Sequence, residues 1–225
     1  MTDKQYEELL TIATGYVAAR CPVLAGVLEP GTTRSIERLK ILNRVGAEAA
    51  VVVPPYYCRA HSEIQLLRHF ELLRSATDLD LIFYNIPACT GVKVPVEFIC
   101  ELRRRNFVIA CKDSSGDSEY FADLCRKGSE CGLMVFQGMQ PDFSVIAKLD
   151  AAGCVPVPGN VHPELFVKAW NNRFKPEVIF CLQQQCDDIW DELVNGYDFF
   201  SRSVALLAKN GIGSGVMPEP FSRFE

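Results

Sequence analysis

One lysine stands at the tip of an apolar run in VIACKDSSGD, Val108 to Asp117. In an extended strand Val108, Ala110 and Lys112 share a face by period-two alternation, so the amine is expected to project toward an interior. Burial disfavours an ammonium ion, and a neutral amine can attack a ketone to form a Schiff base. The position also suits a lysine that snorkels to water or pairs with Asp113 or Asp117. Tyr84 ends a second apolar run, LDLIFYNIP. A buried phenol there needs a hydrogen-bond partner and can relay a proton, or it is an ordinary strand aromatic. Tyr56 and Tyr57 follow two prolines in PPYY, a stiff loop whose rings could simply pack.

These groups meet only if strand ends converge. Apolar runs at 22–28, 47–55, 79–87, 106–112, 132–138 and 154–160 alternate with amphipathic segments at 3–20, 32–46, 62–77, 94–105, 117–130 and 141–153. Further helical patterns occupy 162–170, 176–195 and 200–211. Thr2 or Asp3 is a candidate N-cap, Ser62 caps the third helix, and Gly46 closes the second. Strands alternating with helices imply βαβ units and a parallel sheet. Near-continuous apolar strands fit a sheet covered on both faces or closed into a barrel. Reactive groups in such folds gather at the C-terminal strand ends, here Glu29, Tyr56, Tyr57, Tyr84, Asn85, Lys112, Gln137, Gly138 and Asn160.

Composition narrows the function classes. The 225 residues are 48% hydrophobic and 23% charged, enough to bury a core. The net charge is -5, and the RRR run at Arg103–Arg105 falls at an expected helix end, where cations complement the dipole, so no nucleic-acid partner is expected. No secretory core and no bilayer-length apolar run is read, which places the protein in the cytoplasm without a membrane partner. Ten cysteines are scattered without a CxxC pair and are read as reduced thiols. The histidines, His61, His69 and His162, lack HExxH spacing, so no metal is expected. GxGxxG and GxxxxGKS are absent, and NGIGSG near Asn210 follows a helix, against a dinucleotide or nucleoside-triphosphate site.

Taken together, VVVPPYY, LIFYNIPACTGVKV and VIACKDSSGD resemble the dihydrodipicolinate synthase and N-acetylneuraminate lyase family of class I aldolases. The similarity runs from the first helix to GVMPEPF. It implies an α/β fold, a (β/α)8 TIM barrel with a C-terminal helical extension, in a homo-oligomer that is a dimer or a tetramer. The barrel part would span 1–160, and 161–225 would be helices packed on the same domain. The implied activity is a lyase or aldolase that cleaves or forms a 2-keto acid through a pyruvate Schiff base, with an aldehyde as the other partner and no cofactor. By the same resemblance Lys112 is the Schiff-base lysine, Tyr84 the proton-shuttling phenol, and Tyr57 a tyrosine lent to the neighbouring subunit's site. Substrate contacts fall on Cys89, Ser114, Gly138 and Val155.

The sequence also departs from the family. Six strands are read where the barrel has eight, and the first strand, first helix and second strand of the family have no counterpart here. The family's Gly-Thr-Thr/Ser-Gly-Glu loop lies in that part, and PGTTRSIE at Pro30–Glu37 follows the wrong strand to replace it. A catalytically weak or inactive member that binds a keto acid or a partner protein is therefore the alternative. Cys89 stands where the synthases carry an arginine for the aldehyde's carboxylate, and Met139, Gln140 and Pro141 stand where the sialic-acid lyases are acidic. The expectation is a pyruvate-forming aldolase or lyase on an unidentified 2-keto acid.

Overall fold

A computed structural model describes residues 1–194 and 199–221. Asn195 and residues 222–225, which the sequence reading places at a helix end and in the C-terminal helical part, lie outside the described residues. The chain divides into two compact units, Met1–Phe136 and Gln137–Glu225.

The first unit alternates helices and strands: α1 (Asp3–Val17), β1 (Leu24–Val27), α2 (Thr32–Val45), β2 (Ala49–Val52), α3 (Glu63–Ser75), β3 (Asp80–Asn85), α4 (Pro87–Thr90), α5 (Val96–Arg104), β4 (Ala110–Asp113) and α6 (Ser118–Cys131). Strand β5 (Met134–Met139) crosses the division, and β6 (Gly153–Pro156) belongs to the second unit. The strands follow one another in sequential order in a six-stranded sheet. β1 to β4 are parallel, with Leu24 beside Ala49, Ala49 beside Asp80, and Ile82 beside Ala110. This is the order that consecutive right-handed βα units produce.

Local chemistry sets the helix ends. Thr2, rather than Asp3, caps α1 through a reciprocal pair: the Thr2 hydroxyl accepts from the Gln5 amide, and the Gln5 side chain accepts from the Thr2 amide. Ser62 accepts from the Gln65 amide at the start of α3, and Gly46 closes α2 at a φ of 73°. The short helix α4, bracketed by Pro87 and Gly91, was not anticipated from sequence, where it reads only as the end of a strand. β1 also departs from the continuous apolar reading. Ala25 and Val27 are buried while Leu24 and Gly26 are exposed, as befits a strand at the edge of the sheet order.

Behind the strands, Leu39, Leu42, Phe70, Leu73, Ile99, Leu102 and Leu124 from the helices are fully buried, with Phe70 5.3 Å from Phe83 of β3. Two polar groups are locked into this layer. Arg38 pairs with Glu29 at 2.8 Å and lies 4.2 Å over the Tyr6 ring, tying α1 to the exit of β1. Glu29 is thereby held in an ion pair at its strand end. His69 is buried in α3. Its Nε2–H donates to the Val53 carbonyl at 3.3 Å, and Nδ1 accepts from the Thr32 hydroxyl at 2.9 Å.

The second unit holds α7 (Phe143–Lys148), β6, a 3-10 turn (Val157–Asn160), α8 (Pro163–Asn172), α9 (Pro176–Val194) and α10 (Phe199–Lys209). α7 is much shorter than the 141–153 pattern suggested. Its carbonyls are closed off early, Ala151 donating to Ile146, and Asp150 adopts a φ of 49°. β6 ends at Pro156 because the Pro-Gly sequence beyond it coils into the 3-10 turn. Gln183 of α9 accepts from the Phe143 amide and donates to the Pro141 carbonyl, fixing α9 on α7. No helix among the described residues is long and apolar enough to cross a membrane.

Burial holds the His69 imidazole down to about 4, from 6.5. The unfolded chain therefore takes up this proton first, and the contribution of neutral His69 is complete above pH 6.5 and lost as the pH falls toward 4. His69→Gln should flatten that part of the stability profile, worth at most about 3 kcal/mol. Urea denaturation of both proteins at pH 7, 5.5 and 4.5 measures the difference.

Candidate active site

The register of β3 with β4 sets Tyr84 directly beside Lys112 and, one step on, Asn85 beside Asp113. Both Tyr84 and Lys112 are half-buried, and the Lys112 Nζ lies 4.2 Å from the centre of the Tyr84 ring. An amine at this distance over an aromatic face is held by cation–π attraction when charged. Beneath it, Ile82 and Ala110 precede Tyr84 and Lys112 by two positions and share their face. With Ala49 they form a buried cluster, against which Val51, Ile109 and Phe136 pack. The amine therefore stands on an apolar floor.

Ser114 completes the pair. Its amide donates to the Asn85 carbonyl at 2.8 Å, extending the ladder past the end of β4. That bond turns its hydroxyl toward the Tyr84 oxygen, 3.5 Å away. Ser114 is buried, so the phenol's polar neighbour is a fixed hydroxyl.

Strand alternation sends Asp113 to the opposite face from Lys112. There its carboxylate accepts from the Asn85 amide at 2.6 Å and from the Ser115 hydroxyl at 2.8 Å. Burial pushes the Asp113 carboxyl above its ordinary range, against the opposing pull of those two donors. Asp117 caps α6, accepting from the amides of Glu119 and Tyr120. Neither aspartate forms an ion pair with Lys112, so the pairing alternative open at the sequence level is not what the fold builds.

The remaining expected residues are placed as follows. Tyr57 is 91% exposed at a φ of 66°, in the turn after β2. Its neighbour Tyr56 anchors that turn, donating to the Leu28 carbonyl at 3.1 Å. Cys89 is exposed on α4, and the Arg59 guanidinium donates to the carbonyl of Gly91 just beyond it at 2.7 Å. Gly138 is buried in β5 and Val155 is 43% exposed in β6, both in the second unit. Val155 lines a pocket of about 590 Å³ there, with Pro156, Asn160, Phe166 and Trp170. The fold thus brings Lys112, Tyr84 and Ser114 together. Sequence reasoning passed over the Asn85–Asp113 pair and Arg59. The first was legible, since adjacent residues on paired strands must also pair; the second depends on a loop conformation that no periodicity encodes.

Residues 1–223 match the dihydrodipicolinate synthetase family. The chain belongs to that family. It is 33% identical over 163 residues to the 4-hydroxy-tetrahydrodipicolinate synthase of Exiguobacterium sibiricum, covering 72% of this chain and 55% of that protein. It is 35% identical over 148 residues to the enzyme of the same name from Sphingopyxis alaskensis, covering 66% of this chain and 50% of that one. The chain thus spans about half the length of these curated relatives. Among solved structures, the dihydrodipicolinate synthase of Bacteroides thetaiotaomicron superimposes with a TM-score of 0.89 at 26% identity, covering all of this chain and 78% of that one. YagE, a prophage protein of the dihydrodipicolinic acid synthase family from Escherichia coli K12 solved in complex with pyruvate, gives 0.91 at 22% identity, covering all of this chain and 77% of that one. A monomeric dihydrodipicolinate synthase variant gives 0.91 at 20%, covering all of this chain and 76% of that one. The six strands and following helices are accordingly those of the family's TIM-barrel fold.

The Asn85–Asp113 contact joins two buried residues, each 3% exposed, directly behind the amine. Asp113→Ala should cost about 2 kcal/mol of stability by stranding the Asn85 amide. Adding Asn85→Ala should cost less than the sum of the two single changes, read as non-additivity in urea midpoints.

Proposed function

We propose that this protein is a class I aldolase or lyase that makes or cleaves a 2-keto acid through a Schiff base between pyruvate and Lys112. The observation that carries the reading is the amine held 4.2 Å over the Tyr84 ring on an apolar floor. In the reaction the neutral form of the amine adds to the ketone carbon of the keto acid. Loss of water gives an imine whose protonated form accepts the electron pair released when the carbon–carbon bond breaks. The enamine that results is then protonated at carbon, and hydrolysis frees pyruvate and restores the amine.

Tyr84 serves as the acid and base for these transfers. Its phenol stands beside the amine on the neighbouring strand, and the Ser114 hydroxyl at 3.5 Å is the next group along the proton path. Tyr57 reaches the site of a neighbouring copy, in keeping with a ring that is 91% exposed on a turn of left-handed backbone. This makes the working form a homo-oligomer. Cys89, Ser114, Gly138 and Val155 are our candidates for contacts to the substrate, with pyruvate at the Gly138 and Val155 end. The carbon skeleton beyond pyruvate is an aldehyde on the Cys89 side.

Borohydride reduction in the presence of pyruvate tests the reading. Peptide mapping should find the reduced pyruvyl group on Lys112, and Lys112→Met should abolish it. Tyr84→Phe should slow turnover by about 10²–10⁴-fold while keeping the fold. A folded protein whose Lys112 stays unmodified at saturating pyruvate would instead identify a keto-acid-binding or interaction member of the family.

A further inference from the structure

We infer that Cys100 and Cys131 form a dithiol modification site, which a low-molecular-weight disulfide converts into a reversible crosslink between α5 and α6.

All ten cysteines are free thiols in the structure, and the chemistry proposed above uses none of their sulfurs as a nucleophile. Two of them face each other across a helix pair, and the contacts on either side fix that juxtaposition. Glu97 of α5 pairs with Lys127 of α6. Arg103 of α5 donates through Nε to the Gly132 carbonyl at 3.0 Å, just past the end of α6. Cys100 lies three residues after Glu97 and three before Arg103, on the same face of α5. Cys131 lies four residues after Lys127 and one before Gly132. The two thiols therefore sit between the ion pair and the arginine contact. The Cys131 thiol donates to the Gly128 carbonyl at 3.3 Å, which leaves its sulfur lone pairs to the Cys100 side. Cys131 is also a side-chain hydrogen-bond neighbour of Cys100.

Their exposure differs, and that sets the order of events. Cys100 is 1% exposed, whereas Cys131 is half-buried at the end of its helix and open to a small reagent. Cys131 loses its proton to water and attacks one sulfur of the reagent. A mixed disulfide forms, the reagent's S–S bond breaks, and one thiolate leaves. Cys100 then loses its proton to solvent and attacks the Cys131 sulfur, expelling the second thiolate. The two protein sulfurs give up two electrons, and the reagent leaves as two thiols. Burial first, and then the neighbouring Cys131 sulfur, push the Cys100 thiol up to about 12, with Arg104 pulling the other way. Capping Cys131 removes the second influence and leaves the Arg104 guanidinium, so the first step eases the second. The loop that the bond closes contains β4 with Lys112 and the α6 cap Asp117, and the crosslink ties together the two helices that precede and follow that strand. A crosslink of this kind acts mainly by constraining the unfolded chain.

Oxidised glutathione is the probe. After incubation of the folded protein, acid quench and alkylation, peptide mapping without reductant should find Cys100 joined to Cys131, with both thiols lost to alkylation and restored by dithiothreitol. Cys100→Ala should stop at the mixed disulfide and keep glutathione on Cys131, while Cys131→Ala should leave Cys100 unmodified. The oxidised protein should unfold at a higher urea concentration than the reduced one. Circular dichroism checks each variant, and if one does not fold, the wild-type map decides. Cys100 and Cys131 both remaining free, Cys100 joined to Cys111 instead, or the crosslink arising only in urea would overturn the inference. An oxidised protein with an unchanged or lower urea midpoint would overturn the stabilising role.

Discussion

The parallel pairing of β3 with β4 places Tyr84 against Lys112 on one face and Asn85 against Asp113 on the other. Because the side-chain period of a strand is two, a slip of one residue would turn Lys112 to the helix side and bring Asp113 to the tyrosine's face. The buried Asn85–Asp113 bond opposes such a slip, since it would leave an amide and a carboxylate unpaired away from water. The Ser114 amide on the Asn85 carbonyl adds a further bond at the point where β4 ends. Structural polar contacts on one face therefore hold Lys112 and Tyr84 on the other in place.

That division also sets what surrounds the amine. The fold engages Asp113 and Asp117 elsewhere: Asp113 behind the strand and Asp117 at the start of α6. What faces Lys112 instead is the ring of Tyr84, with aliphatic residues of β2, β3 and β4 beneath.

Much of this was legible in the chain. Lys112 and Tyr84 both end apolar runs, and alternation from Val108 and Ala110 assigned the amine its face. The strands followed from apolar runs, and Thr2, Ser62 and Gly46 marked helix ends through short-range hydrogen bonding that sequence encodes directly. What escaped was set by closure rather than periodicity. The α4 turn occupies four residues between a proline and a glycine, too few for a 3.6-residue pattern to register. α7 stops at Lys148 although apolar and small residues continue, because Asp150 turns left-handed and the Ala151 amide returns to Ile146. The Arg59 bond to the Gly91 carbonyl joins two loops, so no periodicity announces it. The resemblance to pyruvate aldolases identified the family from strand-end residues, whereas contacts between loops had to be read from geometry.

The site residues of the first unit then sort by what holds them. Lys112, Tyr84 and Ser114 are fixed by backbone ladders on a packed floor. Tyr57, Arg59 and Cys89 sit on connections that leave the strands and are exposed to solvent. A connection can change its side chains without disturbing the register beneath it. A scaffold built in this way can hold strand-end residues in register while the side chains on the connections above them vary.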